Sequence, residues 1–308
     1  MLAREGISSH DFGSIWFMLD QRLGIRHTPI NSQSLSWADL RRYNVLVVPS
    51  GRWPADSAES IHQWVKAGGT LIAIARSASS VADEDGGIGK VRRLPDVLGD
   101  LDTYEAAILR EWQVRQGTRP ADEAVWSHEA AEELAYPWEG VGDAKRPDEE
   151  ELKRRDAWQR LFMPPGAILA GRTDEKHWLT FGCGEVLPLL VGRSPILMAP
   201  VGVDAPVRLG MPVARGDGDG EESRRGGWAA VPAGQELRLR MSGLLWPEAS
   251  QRLANGAWVT REGVGKGQVI LFASSPTLRA STLGAERVLA NAMVYGPGLG
   301  ASRPVEQP

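Results

Sequence analysis

The sequence has very few of the residues that build disulfides, metal centres or membrane spans. Cys183 is the only cysteine among 308 residues, which excludes an intrachain disulfide and a cluster of thiolate ligands. No apolar run approaches the roughly 18 residues of a membrane-spanning helix. No two histidines stand at positions i and i+4, and the motif His-Glu-x-x-His is absent. We therefore predict no metal site, no cofactor and no membrane span.

A large excess of charge of one sign is also missing. The 35 basic and 39 acidic residues give a net charge of −4, which offers no basic surface for nucleic acid. The opening letters, MLAREGISSHDF, lack the pattern of a secretory signal, so the sequence names no compartment. The composition, 42% hydrophobic and 24% charged, is typical of a soluble globular chain of one large or two small domains.

Strands and helices alternate in the first 80 residues. Val45 to Val48 and Leu71 to Ala75 are continuous apolar runs, typical of strands covered on both faces. Ser57 to Lys66 is predicted to be an amphipathic helix between them, and Phe12 to Leu23 an earlier one. Together they predict an α/β fold with a mostly parallel sheet and helices on both faces. The first strand, Met1 to Glu5, begins abruptly, which favours a chain cut from a longer polypeptide over a short edge strand.

The composition changes after this unit. Charged residues fill 32 of the 80 positions from Val81 to Arg160, so we predict a charged, mainly helical insertion over residues 81–164. Strand patterns return at residue 165 and predict additional C-terminal β-strands. The α/β domain is then discontinuous, 1–80 and 165–296, followed by a flexible tail at 297–308. The predicted helices and strands beyond residue 80 are Asp102 to Gln116, Asp148 to Leu161, Ala167 to Leu169, Glu185 to Val191, Pro195 to Met198, Val207 to Gly210, Gly227 to Val231, Glu248 to Ala254, Ala257 to Thr260, Val269 to Ala273 and Thr282 to Tyr295.

Two glycine-rich segments resemble ligand loops but lack their spacing. Gly216 to Gly227 carries two aspartates, yet it has neither the glycine at the sixth position nor the glutamate at the twelfth position of a calcium loop. Gly263 to Gly267 has the wrong spacing for a phosphate loop and is followed by a strand instead of a helix. Neither segment is therefore predicted to bind a ligand.

The ligand site of an open parallel sheet lies beyond the carboxyl ends of its strands. This rule brings together polar side chains that carry two fixed positive charges, so a small anion or a peptide carboxylate is a candidate ligand. The alternative is that the same residues only cap helices and turns. The residues selected are Ser9, His10, Asp11, Ser50, Gly51, Arg52 and Arg76.

The expected nucleophile is missing from this place. Ala75 ends the strand and cannot react, and Ser77 lacks the flanking glycines of a nucleophile elbow. Three functions therefore stay open: a non-catalytic module, a small hydrolase with Ser77 as nucleophile, His177 as base and Glu185 as acidic partner, and a carbohydrate- or peptide-binding module. The last would use several of the 12 tryptophans. Cys183 is expected to be a packed residue.

The segments YNVLVVPSG and WVKAGGTLIAIARSA resemble the class I glutamine amidotransferase-like superfamily, whose sheet is flavodoxin-like. PGAILAGRTDEKHWLTFG resembles an Asp…His-Pro-Leu…Gly segment of the same superfamily, with Trp178 in place of the usual proline. The C-terminal segment GAWVTREGVGKGQVILFAS also fits. The resemblance covers residues 1 to about 80 and about 165 to 296, and it places Ala75 where active members carry the nucleophilic cysteine.

Within this superfamily the chain most resembles the C-terminal amidotransferase-like domain of large bacterial zinc carboxypeptidases. The resemblance implies an upstream peptidase domain as partner, a secreted or periplasmic parent protein and an accessory role for this chain. The His-x-x-Glu zinc-binding pair of that peptidase family has no counterpart here, so peptidase activity is not expected of this chain by itself. A homo-oligomer stays open.

Overall fold

A computed structural model describes residues 1–83, 87–115, 146–215, 225–280 and 282–300. The helices in these ranges are α1 (Ser9–Phe17), α2 (Ala58–Ala67), α3 (Arg76–Val81), α4 (Leu101–Arg115), α5 (Glu149–Arg160), α6 (Pro247–Leu253) and α7 (Leu283–Tyr295). The strands are β1 (Leu2–Ala3), β2 (Ile30–Asn31), β3 (Val45–Val48), β4 (Thr70–Ile74), β5 (Arg92–Arg93), β6 (Ala167–Thr173), β7 (Val186–Val191), β8 (Leu197–Met198), β9 (Asp204–Leu209), β10 (Met211–Ala214), β11 (Arg225–Gly226), β12 (Ala229–Ala230), β13 (Gln235–Arg238), β14 (Arg240–Ser242), β15 (Ala257–Val264) and β16 (Gly267–Phe272).

A large central sheet with helices around it makes this a mixed α/β fold. Its main path within the described residues runs β14-β6-β9-β15-β16-β4-β3, with β7 beside β6 and with β8 linking β15 to β5. The neighbours β3, β4 and β16 run parallel to each other. Along the rest of this path, from β16 through β15, β9 and β6 to β14, each strand is antiparallel to the next.

The parallel part of the sheet is therefore smaller than the sequence predicts. The tight turn at Gly265, whose φ is +63°, reverses the chain between β15 and β16. Strands that follow each other through a short turn must pair antiparallel, whereas parallel neighbours need a long crossover. Helix α2 provides such a crossover between β3 and β4.

The strands β3, β4 and β16 form a buried parallel unit, in which β4 lies between β16 and β3. Every residue of β4 and β16 is buried. Helix α2 covers this region with Ile61, Trp64 and Val65. A Cβ added to Gly69 would lie 2.4 Å from the Trp64 ring, so the Gly-Gly pair lets the strand begin directly under the indole. This close packing fixes where β4 starts.

Most of the predicted helices and strands are confirmed, with shifts of a few residues at their ends. The first helix ends at Phe17 and continues as a π-helical turn, Met18–Arg22, before Gly24 adopts a φ of +61°. The first strand is only Leu2–Ala3, and it pairs with β2 in a separate two-stranded sheet. Helix α3 is not predicted because its sequence, RSASSV, is rich in serine, a residue that competes for backbone hydrogen bonds.

The charged segment contributes helices α4 and α5, as predicted, and also a strand. β5 pairs with β8 of the central sheet, and its flanking residues Val91 and Leu94 are buried. The division into a domain and an insertion stays a prediction. Most of the expected loop around residues 137–147 and the two aspartates at 217 and 219 lie outside the described residues.

The expected tail begins in an ordered form. Gly296–Gly300 is a π-helical turn, and Gln268 in β16 donates a 2.8 Å hydrogen bond from its Nε2 to the carbonyl of Gly296. Residues 301–308 lie outside the described part of the chain. Among the helices that the structure describes, none combines the length and the hydrophobicity required to cross a bilayer.

Candidate functional site

Ala75 occupies a sharp turn between strand β4 and helix α3. Its φ of +51° and ψ of −111° lie in a region that residues with a side chain rarely adopt. The amide of Ala75 donates to Phe272 O at 2.7 Å, and its carbonyl accepts from Ser79 N at 2.9 Å. A strained strand-to-helix turn of this kind exposes a nucleophile in enzymes that carry one at this position. Here the turn presents a half-buried methyl group.

Backbone hydrogen bonds join two of the three predicted turns. Ser8 N donates to Ser50 O at 2.8 Å, and Arg52 N donates to Gly6 O at 2.7 Å. An isolated bridge joins Ile7 to Gly51. A Cβ at Gly51 would stand 2.4 Å from Gly6 O, so only glycine allows the two segments to approach this closely. We call residues 6–11, 50–53 and 75–77 the Ala75 mouth.

The charged side chains of the Ala75 mouth point outward. Arg52, Arg76, Ser9 and His10 are exposed, and neither arginine forms an ion pair with any residue that the structure describes. Asp11 is half-buried, and its amide donates to the capping hydroxyl of Ser8 at 3.3 Å. The side chain that caps α1 is thus that of Ser8, which is outside the predicted set, whereas the two arginines are available to a ligand.

Ser77 has a structural role in the Ala75 mouth. It is fully buried, and its Oγ lies 2.7 Å from Pro49 O and 3.4 Å from Gly51 O. The hydroxyl has one proton, which it donates to these carbonyls. This bond ties α3 to the turn after β3, and it leaves the hydroxyl proton with no imidazole to receive it.

His177 lies beside a different strand of the sheet. Its Nδ1 accepts from Leu179 N at 3.2 Å, and its Nε2 is 3.5 Å from Asp204 at the amino end of β9. The pairings through β15 and β16 make β9 run in the same direction as β4, with Asp204 level with Ile72. Three strand spacings, about 14 Å, separate these two strands. Ser77 and His177 therefore cannot act as a nucleophile and its base.

A pocket of about 550 Å³ contains His177, Asp204 and Glu185. Burial raises the pKa of Asp204, but the hydrogen bond and charge of His177 and the charge of Arg261 outweigh it, so the pKa is lowered overall. Glu185 is exposed, and its carbonyl accepts from Thr173 N. The two residues predicted to act with Ser77, His177 and Glu185, thus line one pocket together, but Ser77 is not part of that pocket. We call this cavity the distal pocket.

The sequence prediction missed residues that follow β16. Thr277 Oγ1 and Ser14 Oγ are 2.9 Å apart, and Ser274 Oγ accepts from Trp258 Nε1 at 2.8 Å. Ser275 Oγ is buried without a hydrogen-bond partner among the described residues. The letters SSPT after the buried strand were the available signal, because β16 ends beside β4 and its following turn must lie near Ala75.

The remaining candidate residues belong neither to the Ala75 mouth nor to the distal pocket. Cys183 is half-buried, and burial raises the pKa of its thiol, although Arg287 opposes that effect. Trp158 and Trp246 are exposed and each meets Phe162 edge to face, at interplanar angles of 63° and 62°. The carbohydrate-stacking alternative stays a prediction. Among the described residues, no group of three or more His, Cys, Asp or Glu is placed to hold a metal ion.

Comparisons with known proteins give only distant structural neighbours. No family model and no curated protein matches the chain. A cytoplasmic protein from Salmonella typhimurium is similar at 11% identity and a TM-score of 0.39, over 95% of this chain and 87% of that one. The cold-adapted β-galactosidase from Rahnella sp. R3 is similar at 13% identity and a TM-score of 0.34, over 92% of this chain but 26% of the enzyme. Likenesses at these TM-scores carry no inference about function.

Proposed function

We propose that the chain is a non-catalytic, amidotransferase-like module that uses the Ala75 mouth to bind a ligand or a partner domain. The observation that carries the proposal is the backbone of Ala75, with φ +51° and ψ −111° at a strand-to-helix turn. Such a backbone costs on the order of 1–3 kcal/mol and persists only where the surrounding structure enforces it. The turn of a nucleophile is present, and the nucleophile is replaced by a methyl group.

The charges of the mouth support an anionic ligand. Arg52 and Arg76 are exposed and have no ion-pair partner among the described residues. A guanidinium presents several N–H donors in a plane and binds a carboxylate through two parallel hydrogen bonds. We propose a small anion or a peptide carboxylate as the ligand. We propose a zinc carboxypeptidase-type domain as the partner, on the resemblance alone.

A change of Ala75 to cysteine tests whether the turn is a nucleophile's position. We expect the thiol of Ala75→Cys to react with iodoacetamide at pH 7 at least about tenfold faster than Cys183, because Arg52 and Arg76 favour its thiolate. Ala58→Cys, at the start of α2 and also half-buried, is the matched control. If the thiol introduced by Ala75→Cys reacts no faster than the one introduced by Ala58→Cys, the idea is wrong.

An activity screen tests the non-catalytic part. The natural chain is expected to show no amidase, esterase or peptidase turnover above background, and Ser77→Ala is expected to leave that result unchanged. Turnover that disappears in Ser77→Ala would overturn the proposal. Independently, the gene upstream of the codon for Met1 is expected to encode a His-x-x-Glu zinc-binding pair, and a gene without it would remove the carboxypeptidase context.

A further inference from the structure

The distal pocket lies at β9, three strands away from β4 and Ala75, and is large enough for a small molecule. Its volume of about 550 Å³ falls within the range of ligand sites, roughly 300–1,000 Å³. One wall is the second half of helix α4, and the other is the connection between β6 and β7. The loop before β9 closes the third side.

The α4 wall offers positive charge. Arg110 is half-buried and forms no hydrogen bond or ion pair with any described residue. Arg115 is exposed and donates from Nη2 to Thr173 O at 3.0 Å, which leaves its other N–H groups open. Glu111 on the same wall does not cancel these charges, because both of its oxygens accept from Arg208, at 2.7–3.0 Å.

The facing wall offers negative charge. Glu175 and Glu185 are exposed and form no ion pair with the described residues. Asp204 already forms ion pairs with His177 at 3.5 Å and with Arg261 at 3.4 Å. Lys176, also exposed, adds a cation to this wall. The uncommitted groups are thus separated, with arginines on one side and mainly carboxylates on the other.

Apolar side chains also line the pocket. They are Ala107 and Val114 of α4, Val201 of the loop before β9 and Ala205 of β9 itself. This surface suits an aliphatic group, whereas a simple inorganic ion would leave it unfilled. A pocket with opposed charges and apolar lining matches a ligand that itself carries two opposite charges on an apolar frame.

We propose that the distal pocket binds a zwitterion of the size of an amino acid or a short peptide. The carboxylate of the ligand pairs with Arg110, assisted by Arg115. Its ammonium lies against Glu175 and Glu185, and its side chain packs on Val114 and Val201. This site is separate from the Ala75 mouth and does not depend on the function proposed for it.

Calorimetric titration with four related compounds tests both charges. The probes are L-alanyl-L-leucine, L-leucine, N-acetyl-L-leucine, which lacks the ammonium, and L-leucinamide, which lacks the carboxylate. We expect saturable binding of at least one of the first two, and binding at least about tenfold weaker for each derivative than for L-leucine or the dipeptide. Equal binding of a derivative would overturn the proposal, and so would the absence of saturation by both parent compounds up to about 10 mM.

Substitutions place the binding in this pocket. Arg110→Gln and Glu185→Gln are each expected to raise the dissociation constant at least about tenfold, and Arg110→Lys by less, because it keeps the charge. Arg238→Gln, an exposed arginine on β13 outside the pocket, is the matched control and is expected to change nothing. An unchanged dissociation constant in Arg110→Gln would refute the assignment. Equal melting temperatures for the variants will show that the losses are local.

Discussion

At the residue scale, the position of Ala75 was predictable from the sequence, whereas its conformation was not. The apolar run Leu71 to Ala75 located the turn almost to the residue, because β4 ends at Ile74. The backbone angles of Ala75 were beyond prediction, since alanine normally avoids positive φ. The tertiary hydrogen bond that Ala75 N donates to Phe272 O helps to hold them, and no local pattern contains that bond. The buried hydrogen bond of Ser77 to Pro49 was missed for the same reason.

Ala75→Gly is expected to raise the free energy of unfolding by about 1 kcal/mol. Glycine adopts positive φ without the steric cost of a Cβ, and this gain exceeds the entropy that glycine adds to the unfolded chain. Ala58→Gly is the matched control, because Ala58 has an ordinary helical φ of −57°. There the same change is expected to lower stability by up to about 1 kcal/mol. Urea unfolding of the two variants measures both signs, and a loss of stability in Ala75→Gly would contradict the strain.

At the element scale, the long helices were predictable because their apolar and charged residues repeat with helical spacing. α5 lies one residue inside its predicted range at each end, and α6 is displaced by one residue. The short strands β5 and β14 were not predicted. Their sequences, Arg92–Arg93 and Arg240–Ser242, carry no apolar alternation, and they become strands only because a neighbouring strand supplies hydrogen-bond partners.

Helix α5 allows a comparison of a buried and an exposed ion pair on one element. Asp156 accepts from Arg252 of α6 at 2.8 and 3.2 Å, and both side chains are at most 10% exposed. Glu149 and Lys153, by contrast, form an exposed pair one turn apart. Removing one partner of a buried pair leaves the other charge without compensation, whereas water replaces the partner of an exposed one.

Asp156→Ala is therefore expected to lower the free energy of unfolding by about 3 kcal/mol. Glu149→Ala is expected to lower it by no more than about 0.5 kcal/mol. The double variant Asp156→Leu with Arg252→Met is expected to recover most of the loss, because it removes both charges and fills the space. Chemical denaturation decides between these outcomes. Similar losses for Asp156→Ala and Glu149→Ala would show that the pair between α5 and α6 contributes little.

At the scale of the whole molecule, the α/β class and the parallel strands were predictable, whereas the strand order was not. Apolar runs identify buried strands, as Val45 to Val48 did for β3. They do not tell which strand lies beside which. The position of β9 between β6 and β15 depends on pairing between residues distant in sequence. That pairing also determines that His177 and Ser77 lie beside strands three positions apart, which the sequence alone could not tell.

Amide hydrogen exchange is expected to follow the strand order. The amides of β4 and β16 should exchange slowest, because both strands are fully buried and lie inside the sheet. Those of β14 should exchange at least about a hundredfold faster, since all three of its residues are exposed and β6 is its only partner in the described chain. Exchange followed by mass spectrometry tests this order, and equal protection of β14 and β4 would contradict it.

The Ala75 mouth and the distal pocket lie beside strands of one sheet that are about 14 Å apart, which has a consequence for engineering. Sites more than about 10 Å apart that share no partner contribute additive free energies. In a double-mutant cycle of unfolding between Ala75 and Arg110, the interaction free energy should therefore be near zero. Each site can then be redesigned separately, with one carrying a new reactive group and the other a new ligand specificity.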